Sequence, residues 1–464
     1  MLVSPRLATF YEELRDTLWL AGPVVAAQLA QISMGFVDTV MVGRLGQEAL
    51  AGVALGNTTF FFGLIVCLGV VQAVGPMVSQ AHGAGEHEPV ERSVRQGLWL
   101  GVVLAVPAVF ILWNIAPVLR AAGQPASAVD AAEGYLHAIL GGFLPALWFM
   151  ALRSFVEGLA RPLPITIITL IGVALNIGAN YVLMFGPWGL PALGLVGTGW
   201  ASTFVYWTLF AMLALFVVRI EPFANYQIFG GLRTPDLTYF RELVRIGWPI
   251  GVSSGIEAGL FMITALMVGV LGTVPLAAHQ IALQCAAFTF MVPVGVGIAG
   301  SVRVGQAVGR GRPEAARRAG YASMLLAGLF MVGAAVLFWT APRAIVRLYI
   351  DPALPNNEDV AALAVSLLSV AALFQVFDGV QVAAMGSLRG LKDTRIPMLI
   401  ALFTYWGIGL STGYVLGLWW GMGAEGLWWG LVVGLAAAAL LLFVRFHRHV
   451  RPADSPASSS DTFN

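Results

Sequence analysis

Three carboxylates stand deep inside long apolar runs of this chain: Asp38, Glu257 and Asp378. Residues three and four apart share a helix face, so each acid has readable neighbours. Gln28, Gln31 and Gly35 share a stripe with Asp38. Ser253, Phe261 and Thr264 flank Glu257, and Phe374, Gln375 and Gln381 flank Asp378. Asn176 and Asn180 sit four apart in a fifth apolar run, as do Gln280 and Gln284 in an eighth. Hard cations take oxygen ligands of this kind, and a carboxyl beside water can carry a proton. The chemistry expected is reversible holding of a cation or proton, with Glu257 and Asp378 as candidate Na⁺ ligands. An acid at the centre of a membrane helix costs about 2.5–3.5 kcal/mol, so each must face water, another polar group or a cation. Glu257 lies 12 residues past Arg245, roughly 18 Å along a helix, and Asp378 lies 11 before Arg389, roughly 16 Å. Both depths are near mid-bilayer; Asp38 is closer to the outer boundary.

Bond-making chemistry has little support. Cys67 and Cys285 are isolated in apolar runs, with neither metal nor disulfide spacing. No HExxH occurs. The strings at 251–255 (GVSSG) and 295–300 (GVGIAG) fit a nucleophile elbow and a dinucleotide loop. Both lack the preceding strand those motifs need, and small residues packing helices explain them. No cofactor is expected beyond a coupling ion, Na⁺ or H⁺.

The elements that position these residues must be membrane helices. The 464 residues are 58% hydrophobic and 11% charged, with mean hydropathy +0.83, against about 25% charged residues in a soluble domain. Runs near 18–42, 50–79, 96–118, 132–153, 163–186, 195–218, 243–270, 276–302, 319–341, 360–388, 396–419 and 425–445 are long enough to span a bilayer. The first is too long for a signal peptide and reaches Arg44 without a cleavage site. With both ends cytoplasmic, all the Lys and Arg except Arg44, Arg120, Arg343 and Arg347 fall on the cytoplasmic side, as the positive-inside rule requires. The net charge of +1 offers no surface for nucleic acid.

The chain is also written twice. Pro23 answers to Pro249, Gly43 to Gly269, Gly46 to Gly272, Gln80 to Gln306 and Glu88 to Glu314, each 226 positions on. Later, Glu157-Gly158-Leu159 matches Arg389-Gly390-Leu391 at 232. Gln31 maps to Glu257 and Asp38 to Thr264, so the copies carry their acids at different positions. Six spans per copy give a parallel duplication, with sites expected near the midplane. The fold class expected is an all-α polytopic membrane protein with twelve transmembrane helices in two pseudo-symmetric six-helix lobes, 1–220 and 246–450. A cytoplasmic linker fills 221–245, and a Pro/Ser-rich disordered tail 451–464. Pro23, Pro249, Pro76, Pro107, Pro145 and Pro293 should bend their helices. Arg153, Glu157 and Arg161, four apart, read as an ion-pair ladder.

The stretches MGFVDTVMVGRLG (34–46), GIEAG (255–259), MVGVLG (267–272) and FDGVQVAAMGSLRGLKDTRIPM (377–398) together resemble the multidrug and toxic compound extrusion (MATE) family, in its NorM-like branch. The likeness covers nearly the whole chain, to about residue 446. It implies a secondary antiporter that expels cationic and aromatic small-molecule drugs against inward Na⁺ or H⁺. Asp38, Glu257 and Asp378 would be its cation- or proton-binding acids, with Asn176 and Asn180 beside Asp38. A tyrosine is common in the family one turn before the tenth-span acid; here that position is Phe374. Gln31, Gln280, Gln284, Phe261, Phe288, Phe374 and Gln375 are the candidates for a substrate cavity. The protein is expected as a monomer in membrane lipid, multi-pass in the bacterial cytoplasmic (inner) membrane. Competing readings are a lipid-linked precursor flippase of the same superfamily, which would want basic residues inside its spans where acids and no internal Arg or Lys are expected here, a passive cation channel, and a membrane-embedded enzyme.

Overall fold

The computed structural model describes residues 5–189, 191–232, 236–351, 354 and 357–450. The tail expected at 451–464 and Arg233 lie outside the described residues. Among the described residues every regular element is helical. Twelve helical stretches are long and apolar enough to cross a membrane: Thr9–Gly43, Ala49–Ala84, His87–Trp113, Ala126–Gly158, Leu163–Phe185, Gly194–Arg219, Leu237–Val270, Thr273–Gly309, Pro313–Thr340, Glu358–Gly390, Arg395–Trp419 and Gly423–His449. They follow the apolar runs in order. Several extend a turn or more beyond them, because a helix satisfies its own backbone and its polar ends find ion-pair partners. Successive spans alternate in direction. The connections at 84–87, 158–163, 219–237, 309–313 and 390–395 therefore share one end of the bundle, called here the basic end.

Two of the six prolines coincide with breaks. The second span stops at Val71 and resumes at Val74, just before Pro76. The fourth passes through a 3₁₀ turn, Leu140–Gly142, just before Pro145. Pro145 lacks the N–H that the Gly141 carbonyl would take, and Trp207 Nε1 donates to that carbonyl instead, at 3.1 Å. Pro23, Pro107, Pro249 and Pro293 lie inside uninterrupted helices. The eleventh span departs from the sequence reading: Phe403–Leu410 and Val415–Trp419 are π-helical.

Buried apolar side chains form two large clusters, one mostly from the first six spans and one mostly from the last six. The starts of spans one and seven trade places. Leu20 and Ala21 pack in the second cluster, while Leu243, Ile246 and Ile250 pack in the first. This exchange brings the halves together at the basic end. A Cβ on Gly69 would lie 2.7 Å from the Gly251 Cα, and one on Gly83 or Gly309 would overlap the backbone of Gln306 or Gln80 respectively. Here only glycine lets the helices approach.

Reciprocal hydrogen bonds lock the same seam. Gln80 Nε2 donates to the Gly390 carbonyl at 2.8 Å, and Gln306 Nε2 donates to the Gly158 carbonyl at 3.0 Å. These partners are repeat mates, 226 and 232 apart. Two residues after each carbonyl the chain turns left-handed, at Ala160 (φ 57) and Lys392 (φ 60). Arg303 adds ion pairs to Glu13 at 2.7 Å and Asp16 at 3.3 Å. The connection after span six is strapped to span three by Arg95, which donates to the carbonyls of Gln227 at 2.7 Å and Ile228 at 3.2 Å.

Toward the other end an apolar cleft lies between Thr58 of the second span and Phe261 and Val270 of the seventh. Gly35, Gly43 and Gly269 have no atom within 4 Å of where a Cβ would stand, and Phe36, Leu266 and Val270 are exposed. The close backbone contacts between the halves described here lie toward the basic end. Gly309→Val should push the seam apart. With Ser79, wholly buried at the seam beside Gly305, replaced by cysteine, maleimide labelling from the basic side should become several-fold faster in the valine variant. Unchanged labelling would mean the glycine contact does not hold the seam.

Candidate functional site

In the first half, Asp38 receives two amide donors from one helix face. Asn180 Nδ2 reaches its Oδ1 at 2.5 Å and Asn176 Nδ2 at 3.1 Å. The four-residue spacing on the fifth span places both amides one turn apart, facing the first span. Both asparagines are fully enclosed, while Asp38 is half-buried. Their Oδ1 atoms are buried with no partner among the described residues. Tyr135 and Tyr206 stand near enough to sense the Asp38 charge. One carboxylate with two spare amide oxygens is an oxygen-rich set of the kind a hard cation accepts.

In the second half, Glu257 and Asp378 come together from spans seven and ten, close enough for their charges to interact. Asp378 is 4% exposed. Neither makes a hydrogen bond to a protein group among the described residues. Two like charges at such depth cannot both persist without a cation or a proton. Two residues the sequence reading left out lie within electrostatic range of the acids. Arg389 senses the charge of Glu257. Tyr405, 2% exposed in the first π-helical stretch, senses both acids and Arg389.

Above this pair, toward the open end, an apolar cleft of about 610 Å³ lies between Thr58 of the second span and spans seven and eight. Phe261 lines it, one helical turn above Glu257. Phe374 is 2% exposed and meets Phe261 edge-on at 6.2 Å, one turn above Asp378. Phe374 and Gln375, expected at the cavity, thus back the cleft and do not line it. Gln375 is wholly buried and accepts a hydrogen bond from the Thr289 hydroxyl. Gln280, Gln284 and Phe288 are exposed on the eighth span. Behind Phe374, Trp428 packs at 5.8 Å and donates from Nε1 to His279 Nδ1 at 3.1 Å.

Gln31 belongs to a different group. Arg153 donates to Gln31 Oε1 at 3.3 Å and to Gln28 Oε1 at 2.7 Å, and pairs with Glu157 at 2.8 Å. Arg153 is 2% exposed. The expectation that no Arg or Lys lies inside the spans is therefore corrected: Arg153 is within the fourth span and Arg389 within the tenth. The helices run past their apolar runs, and polar partners, Glu157 and Gln28 for Arg153 and Gln72 for Arg389, make each guanidinium tolerable. The repeat offset of 232 could have exposed the arrangement, because it pairs Glu157 with Arg389 and Arg153 with Met385.

The MatE family model matches residues 23–182 and 249–415, more than half of the chain. The chain belongs to the MATE family. A protein from Pseudomonas aeruginosa described as a probable multidrug resistance protein NorM is 42% identical over 94% of this chain and 89% of its own length. The crystal structure of the eukaryotic MATE transporter AtDTX14 shares the fold, with TM-score 0.84, 22% identity and coverage of 95% of this chain and 99% of that one. So does an outward-facing multidrug resistance MATE transporter, with TM-score 0.83, 17% identity and coverage of 94% and 96%. The twelve-helix architecture is thus the MATE fold.

For this MATE protein, Asp38 and Asn180 should be energetically coupled. A hydrogen bond to a charged group contributes about 1.5–3 kcal/mol. The Asp38→Asn and Asn180→Ala changes should combine with a coupling above about 0.5 kcal/mol in thermal unfolding of the detergent-solubilised protein. Simple additivity would mean the contact carries no weight.

Proposed function

We propose that this protein is a cation-coupled multidrug efflux antiporter, exporting cationic and aromatic compounds by alternating access between two six-helix lobes. The observation that carries this reading is the Glu257–Asp378 pair. It lacks hydrogen-bond partners among the described residues and lies one turn beneath an apolar cleft that opens away from the basic end. Such a pair attracts a positive ligand, and the aromatic wall at Phe261 suits a flat one. A drug cation and an Na⁺ or H⁺ cannot both neutralise the same acids, so inward-moving cations would displace drug outward. The NorM relatives carry multidrug resistance in their descriptions, which fits this substrate class. In this reading the basic end and both termini face the cytoplasm of a bacterial cell, in the inner membrane, and the working unit is a monomer. Asp38 with Asn176 and Asn180 would form a second cation or proton site.

The flippase reading gains two internal arginines from the structure. Arg153 is nevertheless tied to Glu157, Gln28 and Gln31, and Arg389 lies below the acids, so the groups nearest the cleft are negative. An anionic lipid headgroup would be repelled there.

Glu257→Gln and Asp378→Asn should each abolish drug efflux from loaded cells while membrane expression persists; full efflux by either variant would overturn the assignment. Proteoliposomes given first an inward Na⁺ gradient and then an inward proton gradient should export drug uphill under at least one. Cation flux without drug exchange would establish the channel reading instead.

A further inference from the structure

Gln381 is wholly buried in the tenth span, yet neither its Oε1 nor its Nε2 has a partner among the described residues. No other described residue has two side-chain polar atoms enclosed and unpaired. Each buried donor or acceptor left unmet costs about 1–3 kcal/mol, and Gln381 would bear that cost twice. Its own helix offers no relief. From Gly379 to Gly386 the span reads GVQVAAMG, with Gln381 as the only polar side chain. The helix is also tightly packed: a Cβ on Gly379 would stand 2.6 Å from Met331 Cγ, and one on Gly386 would overlap the Gly297 carbonyl.

The nearest polar group along the helix is Asp378. It lies three residues earlier, one turn up on the same face, where Cβ atoms are about 5–6 Å apart. Asp378 too takes no hydrogen bond from the protein among the described residues. Gln375, three residues earlier again, gives its Oε1 to the Thr289 hydroxyl and leaves Nε2 unpaired. Unmet polar groups thus recur at 375, 378 and 381, turn after turn. The donor set says what such a place accepts. A cation would suit Oε1 and be repelled by Nε2–H, and an apolar group would suit neither. Water both donates and accepts, and buried waters sit where polar groups lack other partners. A water that accepts from Gln381 Nε2 keeps a hydrogen to donate to Asp378. Two hydrogen bonds of about 2.8–3.0 Å each span the gap between one turn and the next.

We propose that Gln381 is a positioning residue that holds buried water against Asp378. Its use follows from the antiport reading, on which the inference rests. A carboxylate that exchanges one cation for another is bare once in each cycle. A bare carboxylate in the interior needs a hydrogen-bond donor. Water fixed by Gln381 supplies one on the basic-end side of Asp378, away from Phe374 and the cleft, so the acid can let its ion go. The other ionisable groups around Asp378 are Glu257 of span seven and Tyr405 of span eleven, with Arg389 at the foot of span ten. Spans eight, nine and twelve carry charged side chains only toward their ends, and His279 of span eight is held by Trp428.

Radiolytic labelling of the full-length protein in nanodiscs tests for the water, because radicals made from a buried water oxidise the side chain beside it. Met385 lies one turn below Gln381 and is 6% exposed. Met331, wholly buried against Gly379, is the dry reference. Met385 should label several-fold faster than Met331 in the wild type and fall toward it in Gln381→Leu. Ethidium, a flat aromatic cation, then reports the acid. A carboxylate that has lost a donor holds its proton more firmly. Half-saturation of Gln381→Leu should therefore need roughly tenfold lower proton concentration than the wild type, the effect of one hydrogen bond to a charged group. Gln381→Asn, which keeps an amide at the site, should stay close to the wild type on both measures. Met385 labelling as slow as that of Met331, labelling unchanged in Gln381→Leu, or an unshifted ethidium midpoint would each overturn the inference. If Gln381→Leu does not fold, the comparison of Met385 with Met331 in the wild type decides. A wild type that binds ethidium at no pH would overturn the antiport reading instead, and the labelling would still decide on the water.

Discussion

A carboxylate removed from water must meet a cation, a proton or a set of donors, and this constraint shapes the interior. The chain meets it in three ways. Asp38 takes two amide donors from the fifth span. Glu157 takes a guanidinium four residues back on its own helix. Glu257 and Asp378 take no hydrogen bond from the protein among the described residues and share a neighbourhood with Arg389 and Tyr405. Replacing a buried ion pair by apolar residues is often neutral for stability, so keeping the unpaired couple is hard to explain by folding alone.

The duplicated scaffold gives the two halves the same geometry and different charges. Gln80 and Gln306 bind each other's half through backbone carbonyls, so the seam is symmetric. The groups just above it are not. Gln31 and Glu257 occupy equivalent places, as do Glu157 and Arg389. In the first half Glu157 is paired with Arg153 and Asp38 is hydrogen-bonded to two amides, whereas the acids of the second half have no hydrogen-bond partner among the described residues.

The helices, their order and the repeat were legible in the sequence because each follows from apolar run length and residue spacing, which are local. Spacing put Asn176 and Asn180 on one face of the fifth span, but only the family resemblance set them beside Asp38, where the structure finds them. Arg389 and Arg153 were hidden because an apolar run ends where polar residues begin, although the helix does not. Tyr405 was hidden because the π-helical winding of span eleven shifts its face away from the 3.6-residue pattern. Phe374 and Gln375 share a helix with Asp378, yet they turn toward Phe261, Trp428 and Thr289. Spacing alone could not say whether that stripe met the cleft or the second core.

The carbonyls of Gly158 and Gly390 end their helices, held in place by the left-handed turns at Ala160 and Lys392. The last carbonyls of a helix have no partner of their own, and here a glutamine amide from the opposite half fills each vacancy. Separating the halves would strand two carbonyls and two amides, and only solvent could satisfy them. Opening the basic end is therefore a hydration step, in which the protein takes up water molecules in numbers set by these four groups and their surroundings. Solutes that lower water activity, such as concentrated sucrose, would then favour the closed seam without touching any binding site, making osmotic pressure a thermodynamic handle on the transport cycle.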